Sequence, residues 1–176
     1  GAIPLYHRFI QQAKKLTPRY LTMIVPSRWF AGGRGLDDFR DEMLHDARIR
    51  TIVDFPISSE CFPGVEIKGG VCYFLWDRDS KGDCEIKTMR NNEVSTMRRP
   101  LLEKGCDTFI RYNDAISILR KVQAFKEPTM NTQVSSQKPF GFRTFVKGKE
   151  KPFIGAVKLY ANKTEGYVDR AEITQN

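Results

Sequence analysis

The sequence predicts an α/β protein: a sheet with parallel strands and an antiparallel hairpin at one side, followed by a helix and a small β-rich region. Two observations lead to this fold class. In the first half of the chain, apolar strand patterns alternate with amphipathic helix patterns, which is typical of strand–helix–strand crossovers. Beyond Pro128, short strand-like pieces separated by Gly, Lys and Asn replace that alternation. The 176 residues suffice for one domain and part of a second.

Four elements are predicted in the first third of the chain. Residues 3–16 carry an apolar stripe at helical spacing. The nearly unbroken apolar run Tyr20–Val25 is typical of a parallel strand that is covered on both faces. A helix over Leu36–Asp46 begins with acidic residues that suit its macrodipole, and Ile49–Phe55 is the next strand. We therefore expect a right-handed parallel crossover between the two strands.

The next segment predicts a hairpin and then a linker. The strand Val71–Asp77, a tight turn at Ser80–Asp83 and the strand Cys84–Thr88 together form a hairpin signal. Residues 90–108 are polar and contain Pro100, which favours an irregular connection.

The last third predicts a helix and a β-rich region. The helix begins at Asn113 or Asp114 and runs to about Phe125. Strand-like pieces follow at 141–146, 153–159 and 167–173. The predicted organisation is a first domain over 1–90, a linker over 91–111, and a helix with the start of a further region over 112–176.

The positive charge is concentrated in the second half of the chain. The formal net charge is +8, and residues 1–79 carry 11 Lys and Arg against 10 Asp and Glu, whereas residues 80–176 carry 18 against 11. A near-neutral half joined to a basic half suits a scaffold attached to a polyanion-binding surface. A basic surface that serves only solubility is the alternative.

Cysteine and histidine usage predicts no metal site. The cysteines at 61, 72, 84 and 106 show no C-x-x-C spacing, and the two histidines, His7 and His45, are expected at the surface. We expect the thiols to stay reduced in a cytosol. No apolar run approaches the roughly 20 residues that span a bilayer, and no signal peptide is visible, so no membrane partner is predicted.

Two blocks of sequence carry the functional information. The first, LTMIVPSRWFAGGRGLDDFRDEML (Leu21–Leu44), is an apolar strand, a loop and a glycine-rich turn that opens a helix. The second, SECFPGVEIKGGVCYFLWDRD (Ser59–Asp79), places an aromatic–proline pair before an apolar strand. In this order and spacing the blocks resemble the later part of N6-adenine DNA methyltransferases of restriction–modification systems.

The resemblance implies a partial Rossmann-like methyltransferase sheet, S-adenosylmethionine as methyl donor, double-stranded DNA as substrate, and the cytoplasm of a bacterium or archaeon. That family's cofactor-binding glycine motif and its Asn-Pro-Pro-aromatic motif precede the matching blocks and do not occur in this chain. We therefore expect an inactive fragment with no cofactor-binding residues of its own. Its partner is the missing N-terminal half of the methyltransferase.

Phe62 and Pro63 match the family's Phe-Pro pair, whose aromatic ring stacks on the adenine that is flipped out of the duplex. A flipped base needs a flat apolar surface, and stacking contributes about 1–3 kcal/mol per base. An ordinary turn or core phenylalanine is the alternative.

The other candidate residues are cations and polar groups expected to contact DNA. Arg28, Trp29 and Arg34 follow the first strand, and Lys68 precedes a glycine pair, on the strand edge where α/β sheets bind ligands. Ser136, Lys138 and Arg143 lie in VSSQKPFGFRT, which resembles the entry to the target-recognition region and combines groups suited to phosphate contact and stacking. A flexible loop and a basic hairpin are the respective alternatives.

Two other functions stay open. A DNA-binding or specificity module that works beside a separate catalytic chain explains the basic half equally well. An unrelated α/β hydrolase or nucleotide-binding domain is disfavoured because the sequence has neither G-x-S-x-G nor a P-loop.

Overall fold

A five-stranded mixed sheet forms the centre of the first of two compact units, Gly1–Ala124 and Phe125–Asn176. The computed structural model describes residues 4–132, 139–143, 145–161 and 163–174. The helices of the first unit are α1 (Tyr6–Lys15), α2 (Asp37–His45) and α3 (Asn113–Ala124). Its strands are β1 (Tyr20–Pro26), β2 (Ile49–Phe55), β3 (Val71–Asp77), β4 (Cys84–Arg90) and β5 (Glu93–Arg99).

The strand order is β1-β3-β2-β4-β5. Strand β3 runs antiparallel to both β1 and β2, so β1 and β2 point in the same direction with β3 between them. Strand β4 pairs with β2 in parallel and with β5 in antiparallel. The mixed α/β fold class predicted from the sequence is confirmed. The insertion of β3 between the two crossover strands was not predicted.

The predicted pairing of Val71–Asp77 with Cys84–Thr88 is wrong, because β2 lies between these two strands in the sheet. The antiparallel hairpin at the side of the sheet is formed by β4 and β5 around Asn91 and Asn92. Both asparagines have positive φ, 53° and 62°, which suits the tight primed turns that join twisted strands.

Residues 91–111, predicted as a linker, belong to the first unit. They contain β5, and the segment after it is held by the side chain of Arg99, which is only 1% exposed. Its guanidinium donates to Asn113 Oδ1 at 3.2 Å and to the Ile110 carbonyl, and lies 5.1 Å from the Phe109 ring centroid. Burial lowers the pKa of Arg99. The boundary between the compact units falls after residue 124 instead of within the predicted linker.

The described helices of the first unit cover one face of the sheet and leave the other open. The core joins Ile10 of α1 and Met43 of α2 to inward strand residues such as Ile52, Phe74 and Ile86. The prediction that Tyr20–Val25 is buried on both faces is wrong, since burial alternates along β1. Exposed apolar side chains on the second face are Tyr20 and Ile24 of β1 and Tyr73 and Leu75 of β3.

The two histidines differ in their surroundings. His7, expected at the surface, is buried on the inner side of α1, with its ring 5.8 Å from that of Phe39. His45 is exposed at the end of α2, as predicted.

In the described part of the second unit, β6 (Ala156–Ala161) and β7 (Thr164–Asp169) form an antiparallel hairpin. These strands overlap the predicted pieces at 153–159 and 167–173. No strand occurs among the described residues of the predicted piece 141–146.

We expect Asp46→Asn to lower the free energy of unfolding at pH 7 by about 1–3 kcal/mol. The Asp46 carboxylate is buried and accepts from Arg48 Nε at 2.7 Å and Trp76 Nε1 at 2.8 Å, with Lys14 Nζ at 3.0 Å. Burial opposes ionisation, but the hydrogen bonds from these three groups outweigh it and hold the pKa of Asp46 well below its ordinary value. The measurement is urea unfolding of both proteins.

The pH dependence of the unfolding free energy checks whether the ionised Asp46 carboxylate causes this difference. Because the pKa of Asp46 is depressed in the folded state, its stabilisation is present above the unfolded value of 3.8 and is lost as the pH falls further. The difference between wild type and Asp46→Asn should therefore shrink below pH 4. A difference that stays constant with pH would contradict this, and Asp79→Asn, at an exposed carboxylate, is the control.

Candidate functional site

The candidate site lies at the edge of the sheet where β1 and β2 end. Because β1 and β2 point in the same direction, the segments that follow them leave from one edge. The 3-10 turn Ser27–Phe30 follows β1, and the 3-10 turn Ser58–Glu60 opens the loop that follows β2.

A buried carboxylate ties these segments together. Asp54, at the end of β2, is 0% exposed. Its Oδ1 accepts from Ser27 Oγ at 2.8 Å and from Arg111 Nη2 at 2.8 Å, while Arg111 Nε donates to the second oxygen. Such a bidentate pair holds the guanidinium in one orientation. Burial alone would lower the pKa of Arg111, but the hydrogen bonds and charge of Asp54 raise it.

Gly70 lets the start of β3 approach this cluster. Its φ is +82°, and a Cβ there would lie 2.2 Å from the Phe55 carbonyl oxygen and 2.7 Å from Arg111 Nη2. Its own carbonyl accepts the Ser27 N–H at 3.0 Å. Only glycine combines this backbone conformation with so close a contact.

The loop that carries Phe62 is closed by the buried hydroxyl of Ser58. This hydroxyl donates to the Val65 carbonyl at 2.9 Å and accepts the Ile67 N–H at 2.7 Å. Glu60 accepts the N–H of Asn91 at 2.8 Å, which links the loop to the β4–β5 turn. The Phe62 side chain is 39% exposed, and Pro63 is exposed beside it.

The predicted cations of the first unit are at the surface. Arg28 and Arg34 lie in the segment between β1 and α2, and Lys68 precedes β3 by two glycines. All three side chains are exposed.

Trp29 departs from its predicted role in contacting DNA. Its side chain is 0% exposed, with its ring 4.8 Å from that of Phe30 and 5.8 Å from that of Phe39. The ring therefore belongs to the core and fixes the turn that presents Arg28. Within this 3-10 turn the Arg28 side chain is exposed and the Trp29 side chain is buried, a difference that the sequence pattern does not reveal.

Of the three residues predicted in the second unit, only Arg143 is described, and it is exposed. Ser136 and Lys138 lie outside the described residues.

Sequence reasoning missed the buried cluster of Ser27, Asp54 and Arg111. One signal was present, because an aspartate inside the apolar strand Ile49–Phe55 requires a partner if it is buried. The partner lies 57 residues further along the chain, in a segment predicted to be a linker.

The described residues include no group of three or more His, Cys, Asp or Glu side chains arranged to hold a metal ion. Among the helices that the structure describes, none has the length and hydrophobicity needed to cross a membrane.

Comparison with known proteins finds similarity for the segment that builds this edge. Residues 1–62 match the Eco57I restriction-modification methylase family. The matched segment contains α1, β1, α2 and β2 and ends at Phe62. A relative in Mycoplasma pneumoniae (strain ATCC 29342 / M129 / Subtype 1), an uncharacterized adenine-specific methylase, is 34% identical over 107 residues. The alignment covers 57% of this chain and 25% of the relative, so the chain spans about a quarter of that relative's length.

Two solved structures are similar to the chain at lower levels. One is the type I restriction-modification system methyltransferase subunit from Streptococcus thermophilus, with a TM-score of 0.36 and 10% identity over 72% of this chain and 25% of that one. The other is a type I R-M system structure, with a TM-score of 0.37 and 17% identity over 70% and 25%. Both scores lie below 0.5.

We expect Gly70→Ala to lower the free energy of unfolding by about 1–3 kcal/mol more than Gly69→Ala. Both glycines have positive φ, but a Cβ at Gly69 meets nothing within 4 Å, whereas one at Gly70 meets Phe55 and Arg111. The pair of variants therefore separates steric overlap from backbone strain in chemical denaturation. Equal destabilisation by the two would refute the close approach.

We expect Ser58→Ala to destabilise the protein by about 1–2 kcal/mol, because the partly buried Ile67 N–H loses its acceptor. Limited proteolysis should show faster cleavage within residues 59–66 than in wild type. Ser59→Ala, which changes an exposed neighbour, is the matched control. Unchanged cleavage of the Ser58 variant would show that the hydroxyl does not hold the loop.

Proposed function

We propose that this chain is the C-terminal part of the catalytic domain of an N6-adenine DNA methyltransferase of a restriction–modification system, with the start of its target-recognition region. The intact protein transfers the methyl group of S-adenosylmethionine to adenine N6 in double-stranded DNA. The observation that carries the proposal is the exposed Phe62 on a closed loop at the end of β2, in a segment that matches the Eco57I methylase family.

The chemistry explains why an exposed aromatic ring is useful at this place. The amino group of adenine is reached only when the base leaves the stack, and the base then needs a flat apolar surface. Phe62 offers such a surface, and the hydrogen bonds of Ser58 limit the movement of its loop. Pro63 restricts the backbone directly after the ring.

Contacts to the DNA backbone are proposed for exposed cations around the same edge. Arg28, Arg34 and Lys68 extend from segments next to the end of β1 and the start of β3, and their charges suit phosphate groups. For the second unit we propose Ser136, Lys138 and Arg143 as further DNA contacts.

The uncovered parts of the first unit support a partner that completes the domain. Among the described residues, β1 is an edge strand whose outer side pairs with no other strand. Exposed apolar residues lie on two surfaces next to β1. Those in or beside α1 are Leu5, Phe9 and Leu16, and those on the open face of the sheet are Tyr20 and Ile24. An unpaired edge between two apolar surfaces favours association with a further α/β layer.

We propose that this partner is the N-terminal half of the methyltransferase. That half supplies the site for S-adenosylmethionine and the groups that accept hydrogen bonds from the adenine amino group. This chain on its own is therefore inactive.

The test is reconstitution. The chain is combined with the polypeptide encoded immediately upstream, and methyl transfer from labelled S-adenosylmethionine to duplex DNA is measured. We expect activity only when both are present. Phe62→Ala should then reduce methyl transfer by about 5- to 150-fold, which corresponds to a stacking energy of about 1–3 kcal/mol, with duplex binding changed much less.

Two variants sharpen this test. Phe62→Tyr keeps the ring and should keep most of the activity, and Val65→Ala changes an exposed apolar residue of the same loop and should be neutral. Equal loss of binding and transfer in Phe62→Ala would assign Phe62 a structural role only.

A DNA-binding or specificity module without catalysis is the second candidate. The excess of seven positive charges in residues 80–176, 18 basic against 11 acidic side chains, favours it equally. DNA affinity with no restored methyl transfer in the reconstitution would select this function.

A further inference from the structure

A polar groove opens at the same edge of the sheet as Phe62. Its residues were not among the predicted DNA contacts. It encloses about 270 Å³ beside the β4–β5 turn and the start of α3. Strand β4 ends at this edge because it runs parallel to β2, with Thr88 opposite Asp54.

Arg90 and Tyr112 are among the side chains that line the groove. The guanidinium of Arg90 lies 5.6 Å from the centroid of the Tyr112 ring, and both side chains are exposed. Arg90 forms no ion pair with any residue that the structure describes, although many arginines of the first unit do. The ring therefore orients a cation whose charge stays available.

Hydrogen bonds connect this groove to the elements that carry Phe62. The N–H of Asn91, next to Arg90, donates to Glu60, two residues before Phe62. The Thr88 hydroxyl donates to the carbonyl of Arg111 at 3.2 Å, directly before Tyr112. The groove and the Phe62 loop are thus both connected to the hydrogen-bonded cluster around Asp54.

We propose that Arg90, oriented by Tyr112, binds one phosphate of the DNA backbone. The inference rests on the proposed function. Arginine suits a phosphate because its planar donors contact two oxygens at once. Two carboxylates, Glu93 and Asp114, also line the groove and repel a second phosphate, so a single contact is assigned.

The experiment measures the affinity of the 176-residue chain for a fluorescently labelled 20-base-pair duplex by anisotropy at several KCl concentrations. Each phosphate contact contributes about 0.9 to the slope of log K against log salt. Arg90→Ala should therefore reduce the magnitude of the slope by about 0.9, and should weaken binding by the same factor for unrelated duplex sequences.

The matched control is Arg98→Ala. Arg98 is an exposed arginine of the same hairpin, but it lies 3.8 Å from Glu85 and opposite it in the strand register, so its removal should leave the slope unchanged. Tyr112→Phe should behave as wild type, because the ring still orients Arg90. Tyr112→Ala should lose part of the Arg90 contribution.

The outcomes separate this inference from the proposed function. A flat salt response of the wild type would overturn the DNA contact altogether. A steep wild-type response that Arg90→Ala leaves unchanged would overturn only the assignment of Arg90. Melting curves check the folding of each variant, and Arg90→Gln, which keeps a polar side chain at the turn, repeats the comparison.

Discussion

The buried pair of Asp54 and Arg111 is the interaction on which the candidate site depends. A carboxylate with no solvent exposure must be paired, and removing one partner of such a pair typically costs about 3–5 kcal/mol. Here the pair joins the end of β2 to the segment before α3, and Ser27 adds the segment after β1. The loops that carry the exposed cations and Phe62 therefore start from a fixed base.

The close approach at Gly70 belongs to the same constraint. Strand β3 enters the sheet between β1 and β2, and its first residues must pass beside Phe55 and Arg111. A side chain at Gly70 would push the backbone away from the cluster. The inserted antiparallel strand and the ion pair are thus in close contact at Gly70.

The uneven covering of the sheet explains how structure and proposed function are connected. The helices bury one face, while the other presents apolar residues on β1 and β3 and paired charges on β4 and β5. A solvated antiparallel hairpin is stable with charges on its outer face. Exposed apolar residues next to an unpaired edge strand favour association with a further layer, which agrees with the proposal of a completing half.

The amino-acid sequence by itself determined the local elements. Apolar periodicity placed α1, β1, α2 and β2, because this signal depends on neighbouring residues. Tertiary structure decided the rest. The insertion of β3, the pairing of β4 with β5, the burial of Trp29 and the partnership of Asp54 with Arg111 all join residues that are distant along the chain. Such contacts are selected by packing and by the need to neutralise a buried charge, and neither leaves a mark within a short window of sequence.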